Sequence, residues 1–70
     1  MSIPSIDLKE VRRKLRKLGY KKIRDSKHEI WDNGSGNIIP LSHGNEIVGN
    51  ALMRSICHQL GLTKKQFLQI

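Results

Sequence analysis

The sequence predicts a small α+β protein in which helices cover one face of a three-stranded antiparallel sheet. Two observations predict this class. Apolar residues recur at three- and four-residue spacing in two segments, as they do along one side of a helix. Between these segments lie short apolar runs separated by turn residues, which are typical of antiparallel strands. Two helices on one sheet face bury both apolar stripes and leave the other sheet face free.

The predicted elements follow one another in a simple order. We expect a single domain over residues 1–70, near the lower size limit for a core that folds without disulfides or metals. Its helices are expected at about 6–18, 48–60 and 64–69, and its strands at about 20–25, 28–32 and 37–41.

The first helix is predicted from its ends and its apolar stripe. Pro4 and Ser5 introduce it, the pair Asp7 and Glu10 resembles a capping box, and Gly19 is suited to end it. The stripe that should face the core consists of Leu8, Val11, Leu15 and Leu18.

The strands and the later helices are predicted from turn and capping signals. Tyr20 and Ile23 are the apolar members of the first strand. Asn33-Gly34 indicates a two-residue hairpin, and Pro40 indicates that the third strand lies at an edge of the sheet. The second helix should have a spine of Leu52, Ile56 and Leu60, flanked by Met53 and Cys57 and ended by Gly61; Thr63 and Gln66 form the capping box of a short helix with Phe67 and Leu68.

The charge of the chain indicates an anionic partner. Thirteen Lys and Arg residues against six Asp and Glu residues give a net charge of +7, which attracts phosphate backbones. Nucleic acid is the first partner to expect and an acidic protein the second. The single Cys57 excludes an intramolecular disulfide, and neither a signal peptide nor a membrane-spanning run is recognisable, so we expect a cytoplasmic protein that does not enter membranes.

A basic surface begins on the first helix and continues beyond it. Simple solvation explains the polar face of the helix, formed by Lys9, Arg13, Arg16 and Lys17 with Arg12 at its margin. The positive charge then continues through the predicted hairpin. A solvated helix face does not require this continuation, but a groove that follows a phosphate backbone would use it. These further cations are Lys21, Lys22, Arg24 and Lys27.

His28 is the strongest candidate for chemistry. A histidine exchanges protons near neutral pH, and RNA supplies its own nucleophile in the 2′-OH, so one imidazole among Lys and Arg residues can meet much of the need for RNA cleavage. The alternative is an ordinary strand histidine on a solvated face. Two other residues also have alternative roles. His43 is expected either to contact phosphate or to structure a turn. Trp31 is expected either to stack on a base or, as we favour, to belong to the core. No spacing indicates a metal site or a cofactor.

Several short motifs occur together in one protein family. Residues 11–20 form a basic helix that ends in Gly-Tyr, and residues 28–31 place a histidine two residues before an isoleucine and three before an aromatic residue. Residues 38–40, Ile-Ile-Pro, are followed closely by His43, and residues 53–62 resemble the last long helix of that family. In this order the motifs resemble those of the HicA family of bacterial toxins, the small mRNA interferases of type II toxin–antitoxin systems.

The resemblance covers about residues 6–67 and carries specific expectations. It implies a fold like that of a double-stranded-RNA-binding domain, metal-independent cleavage of mRNA, and inhibition by a HicB-type antitoxin. His28 occupies the position of the family's catalytic histidine, where it would act as general acid or base. One departure is that the family usually has Gly-Ser or Gly-Gly before this histidine, whereas Asp25-Ser26-Lys27 stands here. The residues expected to contact RNA are Lys21, Lys22, Arg24, Ser26, Lys27 and His43.

Two other functions remain open on the sequence. The same fold could serve as a non-catalytic RNA-binding module, in which His28 only donates a hydrogen bond. The basic face could instead meet an acidic protein partner. Purely affinity-based measurements do not separate a nuclease from a binding module, because both make salt-sensitive phosphate contacts.

Overall fold

The predicted α+β class is confirmed. A computed structural model describes residues 6–70, so the predicted approach to the first helix through Pro4 and Ser5 lies outside the described residues. The elements are α1 (Leu8–Lys17), β1 (Lys21–Asp25), β2 (Glu29–Asp32), β3 (Ile38–Leu41), α2 (Asn50–Leu60) and α3 (Lys64–Leu68).

The predicted ends of α1 are correct in most respects. Asp7 is the N-cap, and its carboxylate accepts a hydrogen bond from the backbone N–H of Glu10 at 2.9 Å. The carboxylate of Glu10 accepts a hydrogen bond from the Nε of Arg13 at 2.9 Å. Gly19 follows the C-cap with a φ of +92°, a left-handed conformation that glycine adopts at little cost.

The apolar stripe of α1 is shorter than predicted. Leu8, Val11 and Leu15 are fully buried, but Leu18 is 38% exposed because it is the C-cap residue, where the chain leaves the helix towards β1. The core side of the helix instead includes Lys14, which is only 3% exposed. Its aliphatic stem can pack among apolar groups while the ammonium finds carbonyl partners.

The three strands form an antiparallel sheet in the order β1-β2-β3. Trp31 of β2 lies opposite Ile39 of β3, and both are buried against the helices. The intervening residues alternate to the other face, where Ile30 is half-buried and its partner Pro40 is exposed. Pro40 therefore lies on an edge strand, as predicted, where its missing N–H leaves no ladder bond unmade.

The two predicted apolar members of β1 differ from the prediction in position or burial. Tyr20 precedes the strand and is buried in the core at 5% exposure, whereas Ile23 is 58% exposed. The pairing between β1 and β2 is irregular between Lys22 and Arg24, which leaves Ile23 as the extra residue of a bulge. This irregularity explains why Ile23, an apolar member of the strand, is exposed.

The connection between β2 and β3 is longer than the predicted two-residue turn. It covers residues 33–37, because Asp32 pairs directly with Ile38. Gly34 and Gly36 have φ angles of +85° and +86°, and no non-glycine residue among those described has a positive φ, so Asn33 does not adopt the required conformation. Asn33 instead accepts a hydrogen bond through its side chain from the backbone N–H of Ser35 at 2.8 Å.

The predicted spine of α2 is rotated in the structure. Met53, Ile56 and Cys57 are the buried residues, whereas Leu52 is 38% exposed and is not a core residue. The buried set follows the three- and four-residue spacing just as well, so sequence periodicity alone did not choose between them. Gly61 ends the helix in the left-handed conformation, as predicted.

A capping box opens α3, as predicted. The Thr63 hydroxyl accepts a hydrogen bond from the N–H of Gln66 at 3.1 Å, and the Gln66 side chain accepts one from the N–H of Thr63 at 2.9 Å. This short helix buries Phe67 completely. The Nζ of Lys14 donates to the carbonyl oxygens of Leu68 and Ile70 at 3.3 and 3.0 Å, which ties the end of the described chain to α1.

The segments before the two long helices pair with each other, which the sequence analysis did not predict. Asp7 and Ile47 form an antiparallel bridge, with Leu8 N–H donating to the Glu46 carbonyl at 3.0 Å and Val48 N–H donating to the Ile6 carbonyl at 2.9 Å. No helix within residues 6–70 has the length and apolar character needed to cross a membrane.

Candidate functional site

His28 lies in the tight bend 26–28 that connects β1 to β2, and it is exposed. The bend is closed by a hydrogen bond from the backbone N–H of Ser26 to the carbonyl of His28 at 3.3 Å. The sequence left open which sheet face His28 would follow. Glu29 and Trp31 point to the core, and His28 precedes the first paired residue of β2, so the bend frees its imidazole from the sheet.

A second histidine reaches the same end of the sheet. The Nε2 atom of His43, in the loop after β3, lies 2.6 Å from Oδ1 of Asp25, the last residue of β1. The other oxygen of Asp25 accepts a hydrogen bond from the Nζ of Lys22 at 3.3 Å. Hydrogen bonds from His43 and then Lys22 hold the pKa of Asp25 below its ordinary value. Asp25 therefore joins β1 to the His43 loop instead of standing as an isolated negative charge beside His28.

The His43 loop is held in place by Arg12 of α1. The Nε of Arg12 donates to Glu29 Oε1 at 2.9 Å, and its Nη1 donates to Oδ1 of Asn45 at 2.9 Å. Its Nη2 donates to the carbonyl oxygens of Ser42 and Gly44 at 3.2 and 2.6 Å. One guanidinium thus connects α1, the central strand and the loop that carries His43, using the fork geometry for which arginine is suited.

The other end of this connection is a buried carboxylate. Glu29 is only 6% exposed, and its Oε1 also accepts a hydrogen bond from the indole Nε1 of Trp31 at 3.0 Å. Burial by itself raises the pKa of Glu29, but the hydrogen bonds from Arg12 and Trp31 outweigh it, so the pKa lies below the ordinary value. Glu29 is therefore a charged residue in the core whose hydrogen bonds fix the start of β2, directly after His28.

Trp31 belongs to the core, as the sequence analysis favoured. It is 1% exposed, and its ring lies under the guanidinium of Arg16, whose Cζ is 5.2 Å from the ring centroid. Both faces of a buried indole are covered by protein, so Trp31 does not offer a surface on which a base can stack.

Comparison with known families decides the identity of the chain. A family model described as the HicA toxin of bacterial toxin–antitoxin systems matches residues 8–62, which span α1 to the residue after Gly61. The chain belongs to the HicA toxin family. No curated protein and no solved structure matches it.

In this HicA-family chain, the expected RNA contacts divide into two groups. Ser26 and Lys27 share the exposed bend with His28, and Lys22 and His43 join it through Asp25. Lys21 lies at the other end of β1 from this cluster, and Arg24 lies next to Asp25 but on the opposite face of the strand.

Lys21 pairs with Asp32 at the opposite end of β1, about 13 Å along the strand from Asp25 at about 3.3 Å per residue. Arg24 pairs with Ile30 and therefore belongs to the free face of the sheet. The structure therefore separates Lys21 from the His28 bend, whereas Arg24 lies one residue from Asp25 at the bend end of β1.

Two structural residues of the site were missed by sequence reasoning. The sequence pattern places Arg12 only at the margin of the basic helix face and assigns no role to Glu29. A usable signal was present: if Trp31 points to the core, the residue two positions earlier points there too. An inward glutamate requires a cation, and Arg12 lies near the inward stripe of α1. Asn45 carried no comparable signal.

The arrangement offers an exposed imidazole, a second imidazole held by a carboxylate, and several cations. Within residues 6–70, no group of three or more His, Cys, Asp or Glu side chains has the arrangement of a metal site. The chemistry that these side chains can supply themselves is proton transfer and stabilisation of negative charge.

Proposed function

We propose that this HicA-family chain is a toxin that cleaves mRNA without a metal ion, with His28 as the general acid or base. The observation that carries the proposal is the position of His28, which is exposed in a closed bend at the cationic end of the sheet. The residues matching the family motif around His28 support the same role. We propose that residues 1–70 act as a single HicA-like domain in the bacterial cytoplasm.

The chemistry is an attack of the RNA on itself. The 2′ oxygen of one nucleotide bonds to the adjacent phosphorus while the bond from phosphorus to the 5′ oxygen breaks. The products are a 2′,3′-cyclic phosphate and a 5′-hydroxyl end. A base must accept the 2′-OH proton and an acid must protonate the leaving 5′ oxygen, and His28 performs one or both transfers.

Cations around His28 would bind the scissile phosphate and stabilise its transition state. Lys27 lies next to His28 in the bend, and Lys22 and His43 are held near it through Asp25. Ser26 offers a hydroxyl in the same bend. Lys21, at the other end of β1, would contact a flanking phosphate, and Arg24 would contact the RNA backbone from the free face of the sheet.

An antitoxin partner follows from membership of a toxin–antitoxin family. We propose a HicB-type antitoxin that blocks the His28 end of the sheet. The net charge of +7 favours an acidic partner surface, because self-repulsion of the toxin is relieved in the complex.

The test is cleavage of single-stranded RNA by purified protein in excess EDTA, beside His28→Ala and His28→Asn prepared identically. Loss of a positioned acid or base typically costs about 10²–10⁴-fold in rate. We expect both variants to lose cleavage and to keep RNA affinity within a few-fold. A 2′-deoxy substitution at the cleaved nucleotide should also prevent cleavage.

The outcomes separate the competing functions. Equal cleavage by wild type and His28→Ala removes His28 from the mechanism. Binding without cleavage by folded wild type supports the non-catalytic RNA-binding module. Failure to bind RNA even at low salt supports the protein-partner function, because phosphate contacts are strongest there.

A further inference from the structure

A cavity of about 520 Å³ lies between α2 and the start of α3, and none of its lining residues belongs to the site around His28. We refer to it as the α2–α3 pocket. Its volume falls within the range of about 300–1,000 Å³ that is usual for small-molecule sites. The lining residues are Asn50, Arg54, Cys57, His58, Leu62 and Lys64.

The polar residues of the α2–α3 pocket converge from two helices. Asn50, Arg54 and His58 follow one another at four-residue intervals and therefore lie along one side of α2. Lys64, the first residue of α3, reaches across and donates from Nζ to Oδ1 of Asn50 at 3.3 Å. The rim is thus formed by basic groups supplied from both sides of the turn at Gly61.

The positive charge of the α2–α3 pocket is not balanced by the protein. No acidic residue lines it, and among the described residues Arg54, His58 and Lys64 form no ion pair. Arg12, Arg13 and Lys22, by contrast, are each paired with a carboxylate. Unpaired basic groups around one concavity attract an anion more strongly than the same groups spread over a convex surface.

The floor of the α2–α3 pocket is apolar. Leu62 is half-buried, and Cys57 is 5% exposed. Burial raises the pKa of the Cys57 thiol, although the nearby charge of Lys64 opposes part of the effect. The floor therefore carries a neutral thiol and an aliphatic side chain, against which a flat, uncharged group can pack.

We infer that the α2–α3 pocket is a second RNA-binding subsite, in which Arg54 and Lys64 bind a phosphate and the attached base rests on the apolar floor. A cationic rim above an apolar floor matches the two chemical parts of a nucleotide. The phosphate chemistry follows from the pocket, whereas RNA as its source rests on the proposed function. An RNA held there is anchored independently of the bend that carries His28.

The test compares two neighbouring lysines in the His28→Ala protein, so that RNA is bound without being cleaved. Lys64 lines the α2–α3 pocket and Lys65 does not, although each contributes one positive charge at the start of α3. Binding of a fluorescein-labelled single-stranded RNA is followed by fluorescence anisotropy over a series of salt concentrations. Arg54→Ala serves as the second pocket variant, because Lys64→Ala also removes the hydrogen bond to Asn50.

We expect Lys64→Ala and Arg54→Ala each to weaken RNA affinity about tenfold, as for the loss of one charge-assisted hydrogen bond. The slope of log affinity against log salt should become shallower by about 0.7, the value for one phosphate contact on a single strand. Lys65→Ala should change affinity by less than about twofold, because it removes only long-range charge. Equal losses from Lys64→Ala and Lys65→Ala would overturn the inference in favour of diffuse attraction.

Amide chemical shifts of the His28→Ala protein, which is expected to bind RNA without cleaving it, identify the source of the phosphate. Adenosine monophosphate, inorganic phosphate, the RNA and a short poly-glutamate peptide are titrated separately. Shifts within residues 50–64 caused by the RNA and the mononucleotide support the subsite. Shifts caused there only by an acidic peptide, and not by nucleotides, overturn it. Because none of these measurements uses cleavage, an inactive but nucleotide-binding protein would refute the proposed nuclease and leave the subsite standing.

Discussion

Replacing Arg12 with alanine tests how its half-buried guanidinium supports the site. The side chains of Arg12 and Glu29 are only 13% and 9% exposed and lie 2.9 Å apart. The substitution leaves the Glu29 carboxylate in the core with the indole N–H of Trp31 as its remaining side-chain partner. It also removes the bonds that hold the loop at Ser42, Gly44 and Asn45.

Removing one partner of a buried ion pair costs about 3–5 kcal/mol, and the slight exposure of this pair favours the lower end of that range. A domain of this size has a free energy of unfolding of about 4–10 kcal/mol. Arg12→Ala should therefore consume a large part of it and lower Tm by about 15 °C. Urea unfolding followed by the fluorescence of Trp31, the only tryptophan, measures the change.

Arg13→Ala is the matched control. Arg13 also pairs with a carboxylate, that of Glu10 at 2.7 Å, but these two side chains are 44% and 42% exposed. Water solvates both charges when the pair is broken, so the free energy of unfolding should hardly change. Similar losses for Arg12→Ala and Arg13→Ala would show that burial does not determine the importance of the Arg12–Glu29 pair.

Three further predictions concern pH and charge. Because the pKa of Glu29 is depressed, its stabilisation is complete above the ordinary value of 4.5 and is lost as pH falls below it; the acid limb of a Tm–pH curve should be shallower in Glu29→Gln. Lys22→Ala should reduce kcat/KM for RNA more than Lys21→Ala, because only Lys22 is held at the His28 end; equal reductions would contradict this. Burial lowers the pKa of Lys14, so Lys14 loses its proton at a lower pH in the folded state than in the unfolded state. The free energy of unfolding should therefore rise with pH between that lowered pKa and 10.5. Denaturation of wild type and of Lys14→Met across this pH range tests the direction, because Lys14→Met should lack the rise.

Much of the fold could be predicted because its signals are local. The cap at Asp7, the left-handed glycines 19 and 61 and the capping box at Thr63 each depend on residues within a few positions of one another. The edge position of β3 followed from the missing N–H of Pro40. Such features survive in any tertiary context that keeps the element itself.

The errors arose where packing chose between equivalent local patterns. Leu52 and Met53 both fit a three- and four-residue spacing with Ile56, and the structure buries only Met53. Tyr20 and Ile23 are the predicted apolar members of the first strand, but Tyr20 precedes β1 and a bulge leaves Ile23 exposed.

In the site, the motif makes His28 a candidate, and the bend that frees its imidazole from the sheet is seen only in the structure. The contacts that hold the His43 loop could not be predicted, because Arg12 and Asn45 are 33 residues apart in the chain. Sequence spacing has no means of specifying such a contact, which depends on how α1 is placed against the sheet.

The pairing of Asp7 with Ile47 has a consequence for how the protein is made. About forty residues separate the two strands of this bridge, and closing so long a loop costs conformational entropy before any contact repays it. The bridge cannot form until Val48 has left the ribosome, and the His43 loop lies just before it in the chain. While the ribosome still covers residues 43–48, the nascent chain therefore cannot bring His28 and His43 to the same end of the sheet. The complete site forms only after this segment has been translated and released.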